Sequence, residues 1–114
     1  MRVAYNKLVR DQIPDIIAAA GSQPSTRVLD HASYRGALRS KLVEEAREAE
    51  AAADEQLASE LADVLEVLRA LVTAHGMTWE DIELQARRKR AERGGFDRRI
   101  FLEHVDQVSR PMPG

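Results

Sequence analysis

From about Ala32 the chain carries apolar residues at helical intervals. Leu38, Leu42, Ala46, Ala49 and Ala53 recur in steps of three and four, which places them on one face of an α-helix. Asp54 breaks the series and a second one follows at once, through Leu57, Leu61, Val64, Leu65, Leu68, Leu71 and Val72. The spacing predicts two helices, about 32–53 and 55–75, joined by so short a turn that they must lie antiparallel side by side. Gly76 suits the C-terminal cap of the second. "TWED" then reads as a capping box, with Thr78 at the N-cap and Asp81 in the place of the usual glutamate. It predicts a third long helix, about 79–93, stopped by Gly94 and Gly95.

Outside these helices the pattern is weaker. Residues 1–30 read as irregular, apart from a short helix that Pro14 opens and Gly21 ends. "TRVLD", 26–30, reads as a brief extended segment. "FDRRIFLEHV", 96–105, reads as a short strand or turn packed by Phe96, Ile100 and Phe101, and 104–114 as a flexible tail. The expected fold class is all-α: a single domain, 1–114, forming a small helical bundle on an antiparallel hairpin.

Composition supports this picture. At 114 residues the chain has room for one core, and 44% hydrophobic with 32% charged residues is globular rather than disordered. Aromatics make up only 4%, so the core must be aliphatic. The absence of cysteine excludes disulfides, thiolate zinc sites and thiol nucleophiles. The N-terminus is charged, and no segment approaches the roughly 18 apolar residues of a membrane span, so a soluble, cytoplasmic protein is expected.

The net charge of −2 conceals an uneven distribution: acids crowd 44–66, and bases crowd 87–99. On the first long helix Glu45 lies about 60°, and Glu48 about 120°, to one side of an apolar face centred near Leu42. On the second, Glu60 and Asp63 lie about 80° and 140° from a face centred near Leu68. Both pairs should therefore flank the interface between the helices. A fold at Asp54 sets Glu48 beside Glu60 and Glu45 beside Asp63, because each pair is equidistant from that residue. Four carboxylates this close repel one another, and protons or a divalent cation would relieve the repulsion. Hard oxygen ligands without histidine or cysteine suit Mg²⁺, with Mn²⁺ as the substitute. The competing arrangement splays the acids toward Lys41, Arg47 or Arg69.

The third helix carries a stripe of Trp79, Ile82 and Ala86 that continues as Lys89 and Arg93, with Arg90 beside it. These cations fit phosphate contacts; they also fit snorkelling side chains or partners of the helix dipole. His31, His75 and His104 show no metal spacing, and His75 reads as a helix-end residue. "RGGF" lacks the spacing of a P-loop. Nucleic-acid binding is disfavoured by the net negative charge and scarce aromatics.

"EEARE" at 44–48 followed by "ELAD" at 60–63 resembles the all-α nucleoside triphosphate pyrophosphohydrolases, the MazG-like and phosphoribosyl-ATP pyrophosphohydrolase-like enzymes. The opening "YNKLVRDQIPDII" and the later "RAERGGFDRRIFL" are similar to a subgroup of small proteins of the second kind, so the likeness runs from Tyr5 to about Leu102. The resemblance implies metal-dependent hydrolysis of a nucleoside triphosphate, including noncanonical ones, to the monophosphate and pyrophosphate. Phosphoribosyl-ATP is the alternative substrate, and a helical regulatory module that retains the acids is the non-catalytic alternative. It implies Glu45, Glu48, Glu60 and Asp63 as metal ligands and Glu44 as the residue that orients or deprotonates the attacking water or helps to hold a second ion. It also implies Lys7 and Arg10 as residues that close over the nucleotide, and assembly as a homo-oligomer, dimer or tetramer.

Overall fold

A computed structural model describes residues 1–106; the end of the expected tail, 107–114, lies outside the described residues. Four α-helices and no strand occur among the described residues: α1 (Ile13–Ala19), α2 (His31–Ala51), α3 (Asp54–Ala74) and α4 (Trp79–Arg93). The fold is all-α, as the periodicity predicts, and α4 begins and ends where the capping signals placed it.

Local chemistry sets each boundary. Pro14 stands in the first turn of α1, where its missing N–H leaves no helical bond unmade. Gly21 ends that helix at φ +96°, and Ser22 N–H donates to the Ile17 carbonyl at 3.2 Å. The segment 26–30, expected as extended, forms no strand. It leads into a cap, where the Asp30 carboxylate accepts from the Ser33 N–H at 2.8 Å and opens α2. Gly76, at φ +70°, closes α3: Met77 N–H reaches the Val72 carbonyl at 3.0 Å and Gly76 N–H the Thr73 carbonyl at 3.1 Å. The capping box of α4 forms as read. Thr78 N–H donates to Asp81 Oδ2 at 2.9 Å, and Asp81 N–H donates to Thr78 Oγ1 at 3.2 Å.

Two expectations need correction. The hairpin turns at the two-residue link Ala52–Ala53, and Asp54 opens α3 instead of forming the turn. Asp54 and Glu55 in the first turn of a helix meet the positive end of its dipole, which favours helix over turn there. The segment after Gly95 is a turn, with Arg99 N–H donating to the Phe96 carbonyl at 3.0 Å. Phe96, Ile100 and Phe101 do not pack a core: all three are exposed, Phe96 almost completely.

The chain divides into two compact units, Met1–Ile82 and Glu83 onward. In the first, α2 packs on α3, and Leu38, Val67, Val72 and Glu45 are its buried residues. Leu38 and Val67 are equidistant from the centre of the Ala52–Ala53 link, and so are Glu45 and Glu60. Each step is seven residues along its helix, close to two full turns, so the same stripe passes from apolar to acidic. The interface is thus built in one register, with hydrocarbon at one level and carboxylates two turns nearer the link.

This register also corrects the expected face of α3. The side that meets α2 runs through Val67, and Leu57, Leu61 and Leu65 stay 38%, 51% and 39% exposed. Relative to Val67, Glu60 lies about 20° and Asp63 about 40° away around the helix. Glu45, Glu60 and Asp63 do not flank the interface; they form its acidic level, with Glu48 exposed beside it. The apolar stripe of α3 is broad, and its average direction is not the direction in which it touches α2.

Candidate functional site

The acidic level of the hairpin gathers carboxylates from both helices. One oxygen each from Glu45, Glu60 and Asp63 lies within 4.8 Å of the other two. Glu45 is the most buried of them, with 7% of its surface exposed, and Glu60 and Asp63 are half-buried. Oε2 of Glu45 and Oε2 of Glu60 are buried atoms that no donor reaches among the described residues. Buried carboxylate oxygens without donors are costly, by about 1–3 kcal/mol for each group left unsatisfied. A cation with several oxygen ligands removes that cost, and the residues present fit one: all donors are hard carboxylate oxygens, converging from two rigid helices.

Glu48 stands at the edge of the group. With the link at Ala52–Ala53 its counterpart on α3 is Leu57, not Glu60, so it falls outside the three-oxygen cluster. It remains electrostatically tied to that cluster. A hydrogen bond shared with Glu45, the negative charge of Glu45, burial and the charge of Glu60 together hold its carboxyl above the ordinary glutamate value.

Cations partly balance the acids. Lys41, half-buried on α2, pairs with Glu45 Oε1 at 3.2 Å and with Glu44 Oε2 at 3.3 Å. Burial pulls the Lys41 ammonium down, but its bonds to Glu45 and Glu44 outweigh that and leave it above the usual lysine value. Glu44 also accepts from Lys7 Nζ at 3.2 Å. Partial burial favours its protonated form, yet Lys7 and Lys41 prevail and hold it below the usual glutamate value. Arg10 donates to Asp63 Oδ1 at 2.7 Å. Lys7 and Arg10, which the resemblance implies as residues that close over the nucleotide, here pair with acids of α2 and α3. Lys41 was legible as an alternative partner of the acids, and its spacing of three and four residues from Glu44 and Glu45 is the signal for its role.

The expected phosphate contacts of α4 belong to the second unit. Lys89, Arg90 and Arg93 are exposed there, and Arg90 pairs with Asp97 at 3.2 Å. The Arg90 guanidinium lies close over Gly95, so a Cβ there would push that flexible side chain aside. Arg69 stacks over the Trp79 ring at 4.6 Å from its centre, a contact the periodicity did not reveal. His75 caps α3 as expected, with Nδ1 at 2.9 Å from the Leu71 carbonyl. A cleft of about 470 Å³ opens elsewhere on the hairpin, lined by His31, Tyr34, Glu66 and Arg69 among others, and shares no residue with the acidic cluster.

The family model for phosphoribosyl-ATP pyrophosphohydrolase matches residues 12–90, a span that holds all five acids of the site. The chain belongs to the phosphoribosyl-ATP pyrophosphohydrolase family. No curated protein and no solved structure shows significant similarity to it. The family is typically metal-dependent, and this chain has an acidic cluster on α2 and α3 that could bind a metal ion, where the buried unpartnered oxygens lie. Lys89 and Arg90 lie inside the matched span, whereas Lys7, Arg10 and Arg93 lie outside it. No helix among the described residues is long and apolar enough to cross a membrane.

Proposed function

We propose that this protein is a divalent-cation-dependent nucleotide pyrophosphohydrolase, cleaving a nucleoside triphosphate to the monophosphate and pyrophosphate. The observation that carries the reading is the cluster of Glu45, Glu60 and Asp63, with two buried oxygens lacking donors, in a chain of this family. Glu45, Glu60 and Asp63 would hold Mg²⁺ or Mn²⁺, and Glu48 would join them from the edge. When bound, the ion offsets charge developing on the phosphate chain and makes a coordinated water more acidic.

Glu44 has a narrower role than a general base. A carboxyl held below its usual value by Lys7 and Lys41 is a weak proton acceptor at neutral pH, but a constant hydrogen-bond acceptor. It is suited to orienting the attacking water. Lys7 and Arg10 are proposed to meet the phosphates from the N-terminal segment; Lys89, Arg90 and Arg93 are proposed as further phosphate contacts on their charge. The exposed leucines of α3 support a homo-oligomer, dimer or tetramer; a cytoplasmic protein acting on the nucleotide pool is proposed with it.

The family description favours a second substrate within the same chemistry, phosphoribosyl-ATP. Incubation with a panel of nucleoside triphosphates and phosphoribosyl-ATP in Mg²⁺, with pyrophosphate as readout, separates the two. Turnover should vanish in EDTA and fall by roughly 100-fold or more in Glu45→Ala and Asp63→Ala. No pyrophosphate from any substrate, together with Mg²⁺ affinity weaker than about millimolar, would leave only a non-catalytic regulatory module.

A further inference from the structure

The N-terminal segment has no regular structure of its own before α1, yet it straddles the acidic hairpin. Asn6 turns it, at φ +48°, a left-handed conformation that asparagine tolerates better than most residues. Lys7 then places Nζ 3.2 Å from Glu44 on α2 and 5.9 Å from the centre of the Tyr5 ring. Three residues later Arg10 donates to Asp63 on α3 at 2.7 Å, while its own carbonyl accepts from Ile13 N–H at 3.0 Å at the start of α1. One cation thus sits on each helix of the hairpin.

The two contacts differ in what they occupy. Glu44 contributes no oxygen to the three-carboxylate cluster, but Asp63 does. The Arg10 guanidinium therefore competes with a divalent cation for the same carboxylate, and its positive charge opposes the ion's approach. Arg10 is also the cation most easily moved. It is 55% exposed and rides on a segment without regular structure, whereas Lys41 is only 15% exposed and anchored within α2. Arg10 leaves Glu45 Oε2 and Glu60 Oε2 unpartnered, so it balances the cluster incompletely.

We propose that Arg10 is a displaceable counterion of the acidic cluster: it holds Asp63 in the metal-free protein, releases it when a divalent cation binds, and thereby becomes available to an anionic phosphate. This exchange rests on the reading of the cluster as a metal site. It links the order of binding to the chemistry of the N-terminal segment, because the cation that frees the guanidinium also brings the phosphate to it.

Mg²⁺ titration of the full chain, without nucleotide, tests the exchange by calorimetry and by the ¹⁵N signal of the Arg10 guanidinium. Arg10→Gln should bind Mg²⁺ about threefold more tightly than the unaltered protein, the scale of a partly exposed ion pair. Asp63→Asn should lose binding, with circular dichroism confirming that both variants fold. In the unaltered protein the Arg10 signal should pass from that of a hydrogen-bonded, restricted guanidinium to that of a free one as Mg²⁺ saturates. An Arg10→Gln affinity equal to or weaker than that of the unaltered protein overturns the exchange, as does an Arg10 signal that stays restricted at saturation. Absence of any Mg²⁺ binding in the unaltered protein removes the metal reading itself, and the exchange with it.

Discussion

Glu60 is the residue at which a functional demand stands most openly against stability. Its Oε2 is buried without a donor, and Glu45 and Asp63 bring like charge to it. Glutamine in its place keeps the shape, removes one negative charge and supplies two N–H donors to the neighbouring carboxylates. Glu60→Gln should therefore stabilise the metal-free protein by about 1 kcal/mol, seen as a melting temperature several degrees higher in EDTA. The same variant should lose the rise in melting temperature that Mg²⁺ produces in the unaltered protein. Glu48 makes the companion prediction in pH. Glu45 raises its carboxyl above the ordinary value of 4.5, so the folded protein binds that proton more tightly than the unfolded chain. Its contribution to stability is complete below the unfolded value and is lost as pH rises through the folded one. Glu44, whose value is depressed, contributes with the opposite sign. The difference in melting temperature between the unaltered protein and Glu48→Gln, measured in EDTA, isolates Glu48. It should decline as pH rises above 4.5 and then level off.

The helices owe their limits to caps, and two of the N-terminal caps carry carboxylates. Asp30 and Asp81 both lie below the ordinary aspartate value, chiefly because backbone N–H groups of Ser33 and Thr78 donate to them. Their stabilisation is therefore present above the unfolded value of 3.8 and lost as pH falls through the folded one. Asp30→Ala should lower the melting temperature by a few degrees at neutral pH, and the deficit should shrink in acid. The start of α3 offers the reverse change: Ala53 occupies an extended N-cap position with no side chain to accept a bond. Ala53→Ser should add up to about 1 kcal/mol of stability and leave Mg²⁺ affinity unaltered. At this scale the sequence was informative wherever one residue type answers one local need, as with Thr78, Asp81, Gly76 and Gly21. It was less so where several faces compete. The leucines of α3 cover a broad arc, and only the register set by the Ala52–Ala53 link turns Val67, Glu60 and Asp63 toward α2. That register also explains why Glu45, Glu60 and Asp63 cluster, while Glu48, expected beside Glu60, sits at the edge.

The described residues bury very little hydrocarbon for their number. Leu38, Val67 and Val72 are its buried large apolar residues among those described, while Val43 on α2 and Leu57, Leu61 and Leu65 on α3 remain open to solvent. A domain of about 100 residues ordinarily withdraws well over half of the surface its unfolded chain exposes. Three buried aliphatic side chains, at about 1.5–3 kcal/mol each, are a small return against the backbone entropy of two helices of 21 residues. The leucines of α3 recur every four residues, so they form one continuous stripe that a second helical surface could cover. The proposed homo-oligomer would supply that cover and make folding depend on assembly. Light scattering coupled to size exclusion should then give a mass that is a multiple of the 12.8 kDa chain. Leu61→Asp, which places a charge at the centre of the stripe, should shift the mass toward a single chain and reduce the helical signal in circular dichroism. Melting of the unaltered protein should move to higher temperature with increasing protein concentration, whereas melting of Leu61→Asp should not. A stable, fully helical particle of 12.8 kDa with concentration-independent melting would instead mean that α2 and α3 hold together without a partner, against the oligomer argued from their exposed leucines.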